Sequence, residues 1–152
     1  MTLGLVLPQP LTIHGETQIP PSWIRIQGNR AFISGHGPQN PDGTIAGPIG
    51  KVGSEVTLEQ ASASAKLATL SILSTLKREL GSLDRIDAWL VINGFVNVAP
   101  GFTDTTKVMN SCSELVLQLF GNEIGKHART AMGVATTPYG LPIVISAELE
   151  IR

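Results

Sequence analysis

One arginine stands among small and apolar residues near the end of the chain, in "KHARTAMGV", where the pattern reads as a strand. The Arg129 guanidinium presents parallel N–H donors that match a carboxylate. A buried arginine without a partner is costly, so either a ligand or an acidic residue must face it. Glu114, Glu123 and Glu148 are candidates for a structural ion pair at a contact between subunits, and a bound carboxylate is the functional alternative. His127 precedes Arg129 by two residues and shares its face on a strand. It joins the candidate binding set, against the plainer reading of a hydrogen bond at a subunit contact. His36 directly follows Ser34-Gly35. An imidazole of ordinary pKa, about 6.5, serves as acid or base at neutral pH; the alternative is a solvated loop histidine.

Other chemistries are excluded. Cys112 is the sole cysteine, so no internal disulfide forms, and its place in an apolar helical stripe reads as core. Neither CxxC nor HExxH occurs, and no metal or cofactor is expected. The net charge of −1, without a basic block, lacks the electrostatic footprint of a nucleic-acid binder. No stretch approaches the ~18 apolar residues of a membrane helix, and the N-terminus lacks the basic start of a signal peptide. A cytoplasmic location is the default. With 42% hydrophobic and 15% charged residues, the chain suits one globular domain.

The elements that must position these side chains follow from periodicity. Residues 1–22 carry Pro8, Pro10, Pro20 and Pro21 and read as an extended arm ahead of a single domain over 23–152. "WIRIQGNRAFISG" reads as a hairpin turning at Gly28-Asn29. The Gly- and Pro-rich stretch from His36 to Gly53 is a long loop, either functional or disordered. Thr57 and Gln60 have capping-box spacing, and Ala61, Ala65, Ala68, Ile72, Leu76 and Leu80 make one helical face that Gly81 ends. "RIDAWLVINGFVNV" is a strand. A second helix follows, with Val108, Cys112, Leu115 and Leu119 as its buried stripe and Gly121 as its end. The chain closes on two strands around Thr136–Gly140, expected to form a hairpin. Trp89 and Phe102 read as packing residues, Tyr139 as surface, and Asn93 and Asn97 as able to reach a cleft. Two helices with one apolar face each cover one side of a sheet, so another subunit is the natural cover for the other side.

Taken together, "GNRAFISGHGP", "DRIDAWLVINGFVNVAPGFTDTTKVMNSCSELVLQLFG" and "HARTAMGVATTP" resemble the RidA family, also called YjgF or the L-PSP endoribonuclease family, over residues 22–152. The "GFVNVAPGFTD" and "KHAR" segments point to a divergent subgroup. The resemblance implies a chorismate-mutase-like α+β fold, a mixed sheet with two helices on one face. It also implies a homotrimeric barrel with clefts between subunits. Characterised members hydrolyse reactive enamines and imines to 2-keto acids and ammonia, which implies a deaminase-like hydrolase here. The resemblance puts Arg129 on the substrate carboxylate, Ser34 and Gly35 beside the cleft, and Ala131 where many members have Cys or Ser, leaving only its backbone to contribute.

One departure bears on the chemistry. Aligning "LPIVISAE" on Pro142 and Ala147 puts Val144 and Ser146 where relatives usually carry glutamates. The first of these is thought to position water, which a valine cannot do. The relatives' aromatic residue before the first hairpin falls on Pro21, with Trp23 two residues on. Three readings therefore compete with a RidA-type hydrolase: a non-catalytic small-carboxylate binder, a repurposed hydrolase or isomerase using His36, and a ribonuclease, which the net charge disfavours. The partners expected are a small carboxylate-bearing molecule and further copies of the chain, with neither nucleic acid nor membrane.

Overall fold

The computed structural model describes residues 3–13 and 22–152. Its element order is β1 (Ile24–Gln27), β2 (Arg30–His36), α1 (Leu58–Leu80), β3 (Ile86–Asn97), α2 (Thr105–Gly125), β4 (Ala128–Val134) and β5 (Ile143–Ile151). The strands form one mixed five-stranded sheet in the order β1-β2-β5-β3-β4, with both helices on one face. This is the α+β architecture the resemblance implies.

The first hairpin forms as its sequence requires. Gln27 pairs with Arg30, and Gly28 takes the positive φ of 60° that the turn demands. The terminal hairpin does not form. β4 pairs in parallel with β3, while β5 runs antiparallel between β2 and β3. Two physical reasons explain this correction. A helix between β3 and β4 returns the chain in the parallel sense, which sets β4 beside β3 at the sheet edge. β5 then takes the central position, where Ile143, Ile145, Ala147, Leu149 and Ile151 are all buried on the helix side. An edge would waste that apolar alternation.

The capping box opens α1: Gln60 N–H donates to Thr57 Oγ1 at 3.1 Å, and Thr57 N–H donates to Gln60 Oε1 at 2.9 Å. The six-residue stripe read from sequence is buried throughout. Thr69, Ser71, Ser74 and Thr75 are buried as well. α2 covers one flank of α1 and the N-terminal segment lies along another, where Ser74 Oγ donates to the Pro8 carbonyl at 2.5 Å. In α2 the stripe holds for Val108, Cys112 and Leu115, but Leu119 is exposed. Gly121 breaks the helical geometry at φ 75°, and a last turn carries on to Gly125.

The long loop is ordered. Gln39 pairs with Ile45, Val52 bridges both Val56 and Val98, and Val52 and Val56 are buried. The extended segment over 3–13 is tied to this loop, with Gln9 N–H on the Pro41 carbonyl at 2.9 Å and Thr12 N–H on the Gly43 carbonyl at 3.0 Å. Pro20 and Pro21, the rest of the expected arm, lie outside the described residues. Among the described residues nothing covers the sheet face away from the helices, and Phe32, Phe95 and Met132 stand exposed on it.

Close packing between β3 and α2 depends on Gly94. A Cβ there would lie 2.6 Å from both Cγ and Cε of Met109, which is fully buried. Gly94→Ala is expected to destabilise the fold by ~1–3 kcal/mol through overpacking. In urea this lowers the unfolding midpoint with little change in slope.

Candidate functional site

Arg129 projects from the edge strand β4 toward α2. Its Nη1 donates to Asn110 Oδ1 at 3.0 Å and to Ser113 Oγ at 3.1 Å. Both partners are neutral. Among the described residues no carboxylate lies within 4.0 Å of the guanidinium, so Arg129 forms no ion pair with Glu114, Glu123 or Glu148 of its own chain. Glu148 pairs with Arg30 instead. The guanidinium is thus aimed by hydrogen bonds while its charge stays unneutralised.

His127 supplies the next link. Its Nδ1 lies 2.6 Å from the Gly125 carbonyl, and its Nε2 lies 2.9 Å from Ser113 Oγ. A carbonyl only accepts, so Nδ1 carries the proton. In the neutral ring Nε2 then accepts from the Ser113 hydroxyl, leaving that oxygen's lone pairs for Arg129. His127 therefore orients Arg129 through Ser113. With Leu117 and Lys126 these three residues line a shallow depression of about 260 Å³. Ala131, two residues on, faces the helix layer, and its carbonyl accepts from Thr105 Oγ1 at 2.9 Å.

His36 lies elsewhere. It is 4% exposed, under α1, and its ring centroid is 5.2 Å from that of Trp23. Nδ1 is 2.6 Å from the Ser34 carbonyl, which makes it the protonated nitrogen. Nε2 is 2.8 Å from Thr75 Oγ1 and accepts that hydroxyl's proton. Burial pushes the imidazole below its ordinary value; the bond to Ser34 pulls it up, and the nearby Arg78 charge pushes it further down. His36 is therefore held neutral, and it is not a solvated loop residue.

A cavity of about 330 Å³ opens beside it. Ser34, Gly35 and His36 form one side, and Val144 lies against Gly35, where a Cβ would come within 2.8 Å of Val144 Cγ1. Ser34 Oγ donates to the Ser22 carbonyl at 3.3 Å. Tyr139 lines the cavity from the β4–β5 turn in the left-handed conformation, φ 57°, which costs a residue with a Cβ about 1–2 kcal/mol.

One protomer thus separates the candidates. Ser34, Gly35 and His36 belong to the α1 flank, and His127, Arg129 and Ala131 to the α2 flank. Three strand steps of ~4.8 Å lie between β2 and β4, roughly 14 Å across the sheet. Thr75, Arg78, Asn110 and Ser113 escaped the sequence reading, since a hydroxyl or amide on a helix face carries no signal of what the packed strand brings opposite it. Asn97 is structural, accepting from Lys51 Nζ at 3.0 Å and donating to the Gly50 carbonyl. Asn93 lies on the bare sheet face. Cys112 is buried core, with burial pushing its thiol up to about 11. Among the described residues no group of three His, Cys, Asp or Glu side chains could hold a metal, and no helix is long and apolar enough to cross a membrane.

The depressed pKa of His36 has a thermodynamic consequence. The unfolded imidazole, near 6.5, binds a proton that the folded one refuses, so this residue stabilises the fold above that pH and its contribution is lost as pH falls toward the folded value. His36→Gln, which keeps a donor and an acceptor, is expected to flatten the loss of stability on the acid side of pH 6.5 in urea titrations at a series of pH values.

The comparisons with known proteins agree with this architecture. The family described as "YjgF/chorismate mutase-like, putative endoribonuclease" matches residues 3–146. Protein TCP17 of Trypanosoma cruzi is 36% identical over 125 residues, covering 82% of this chain and 77% of its own. A crystal structure of an Agrobacterium tumefaciens protein of unknown function has a TM-score of 0.82 at 35% identity, covering 90% of this chain and 86% of its own. Another, described as a putative endoribonuclease from Shewanella oneidensis, has a TM-score of 0.85 at 27% identity over 97% of this chain and 93% of its own. With its mixed sheet, its two helices on one face and a match that spans nearly the whole length, the chain belongs to the YjgF/chorismate mutase-like family.

Proposed function

We propose that this protein is a small-molecule hydrolase of the RidA type, which cleaves an enamine or imine C–N bond in a carboxylate-bearing substrate to give a 2-keto acid and ammonia. The observation that carries the reading is the Arg129 guanidinium, fixed by Asn110 and Ser113 yet facing no carboxylate among the described residues. A substrate carboxylate completes its charge in a bidentate pair. The site forms between protomers of a homotrimer, where Arg129 of one chain meets the cavity beside Ser34 and Gly35 of another. Two observations support assembly: the candidates sit on opposite flanks of one chain, and among the described residues nothing covers the second sheet face.

In this reading Gly35 lets the substrate approach the backbone. Water adds to the imine carbon, and the resulting carbinolamine expels ammonia as the keto group forms. His36 and Thr75 are the proton carriers at hand. Nε2 takes the proton of the attacking water once Thr75 turns aside, and a depressed pKa makes it a weak base but a ready donor to the leaving amine. A second reading, a binding protein without turnover, is favoured by one fact: both ring nitrogens of His36 are already bonded, and Val144 supplies no replacement.

Arg129→Ala is the test. It is expected to weaken binding of pyruvate, a stable 2-keto acid product, by about 1.5–3 kcal/mol, the loss for a charge-assisted contact. Sedimentation should still show a folded trimer. Loss of assembly in the variant, or a wild-type monomer at micromolar concentration, would contradict the proposal.

A further inference from the structure

The cavity beside Ser34 and Gly35 has room to spare. At the ~30 Å³ that one water takes up in the liquid, about 330 Å³ holds about ten non-hydrogen atoms, more than a three-carbon acid supplies. Its walls come from Leu11, Ile13, Trp23, Ile45, Leu141 and Val144. The polar groups among them are largely spent on the protein. His36 is bonded at both nitrogens, and Thr75 donates to it. Gln39 Nε2 donates to the carbonyls of Gln9 and Gly43. Arg78 also lines the cavity, bonded to the hydroxyls of Ser74 and Thr75 and to no carboxylate among the described residues, so it is the one charged group a ligand meets there. Away from Arg78 an entering group meets mostly apolar surface and closed hydrogen-bond pairs, where a polar body would lose its hydration without recompense.

From this we infer that the site selects 2-imino acids whose side chain is apolar and branched or aromatic, with that side chain seated in the cavity. The inference rests on the proposed hydrolase reading and gives it a substrate class. Val144 then has a positive role. Against Gly35, it makes apolar wall for the substrate's side chain. A glutamate there would put a charge beside that chain. Trp23 and His36 close the other side with flat faces that suit a ring.

Stable 2-keto acids serve as probes: pyruvate, 2-oxobutanoate, 4-methyl-2-oxopentanoate, phenylpyruvate and 2-oxoglutarate, titrated against the full chain. Calorimetry gives affinity. Fluorescence reports the seat, since Trp23 lines the cavity and Trp89, the other of the two tryptophans, is 1% exposed. Affinity is expected to rise about fourfold per buried methylene, with phenylpyruvate or the branched acid tightest and 2-oxoglutarate weaker than either. Val144→Thr, close in shape but polar, should weaken phenylpyruvate by a larger factor than pyruvate. Equal affinity for all five acids, or a preference for 2-oxoglutarate, overturns the inference and leaves the hydrolase reading in place. Arg129→Gln should weaken all five acids alike and keep the gradient; affinities unchanged from wild type in that variant uphold the apolar seat and overturn the assignment of Arg129. Absence of binding by every acid overturns both.

Discussion

The central position of β5 is the constraint on which the rest depends. This strand bonds to β2 on one side and β3 on the other, and every second residue from Ile143 to Ile151 is buried beneath the helices. Because it comes last in the chain, it must pass over the end of β3 to reach its place. The turn it leaves behind, around Tyr139, lines the cavity beside Ser34 and Gly35. Its insertion also pushes β2 and β4 apart. The same strand therefore completes the core, builds one wall of a cavity and separates the two groups of polar side chains.

Those groups share a way of being held. Each histidine gives its Nδ1 proton to a carbonyl two residues earlier and receives a hydroxyl proton at Nε2 from a helix. In each case the carbonyl, which can only accept, fixes the tautomer. The outcomes differ because of what lies beyond the hydroxyl. Ser113 passes its lone pair to Arg129 and steadies a cation at the edge of the sheet. Thr75, on α1, lines a largely apolar cavity, and there burial holds the His36 imidazole neutral. Similar local chemistry makes an aimed charge on one flank and an uncharged wall on the other.

Much was legible in the sequence because it rests on local rules. The Thr57–Gln60 box, the alanine face of α1, the turn at Gly28-Asn29 and the break, though not the end, of α2 at Gly121 each follow from backbone hydrogen bonding or from steric freedom within a few residues. So did the α+β class, which needs only the number of amphipathic faces. The order of motifs pointed to the family, and the match over residues 3–146 agrees.

What the sequence could not decide was which distant residues would meet. Two strands around a turn look like a hairpin whether or not they pair, and only the competition for the centre of the sheet decided that β4 and β5 do not. Leu119 fitted the helical period yet lies outside, while its neighbour Phe120 takes the inward place against Trp89. Thr75, Ser113 and Asn110 became partners of His36 and Arg129 through helix-on-sheet packing, at separations of 39, 16 and 19 residues. Residue types and their local order come from the chain alone; the neighbours that set a side chain's charge and direction come from burial, which only the tertiary structure assigns.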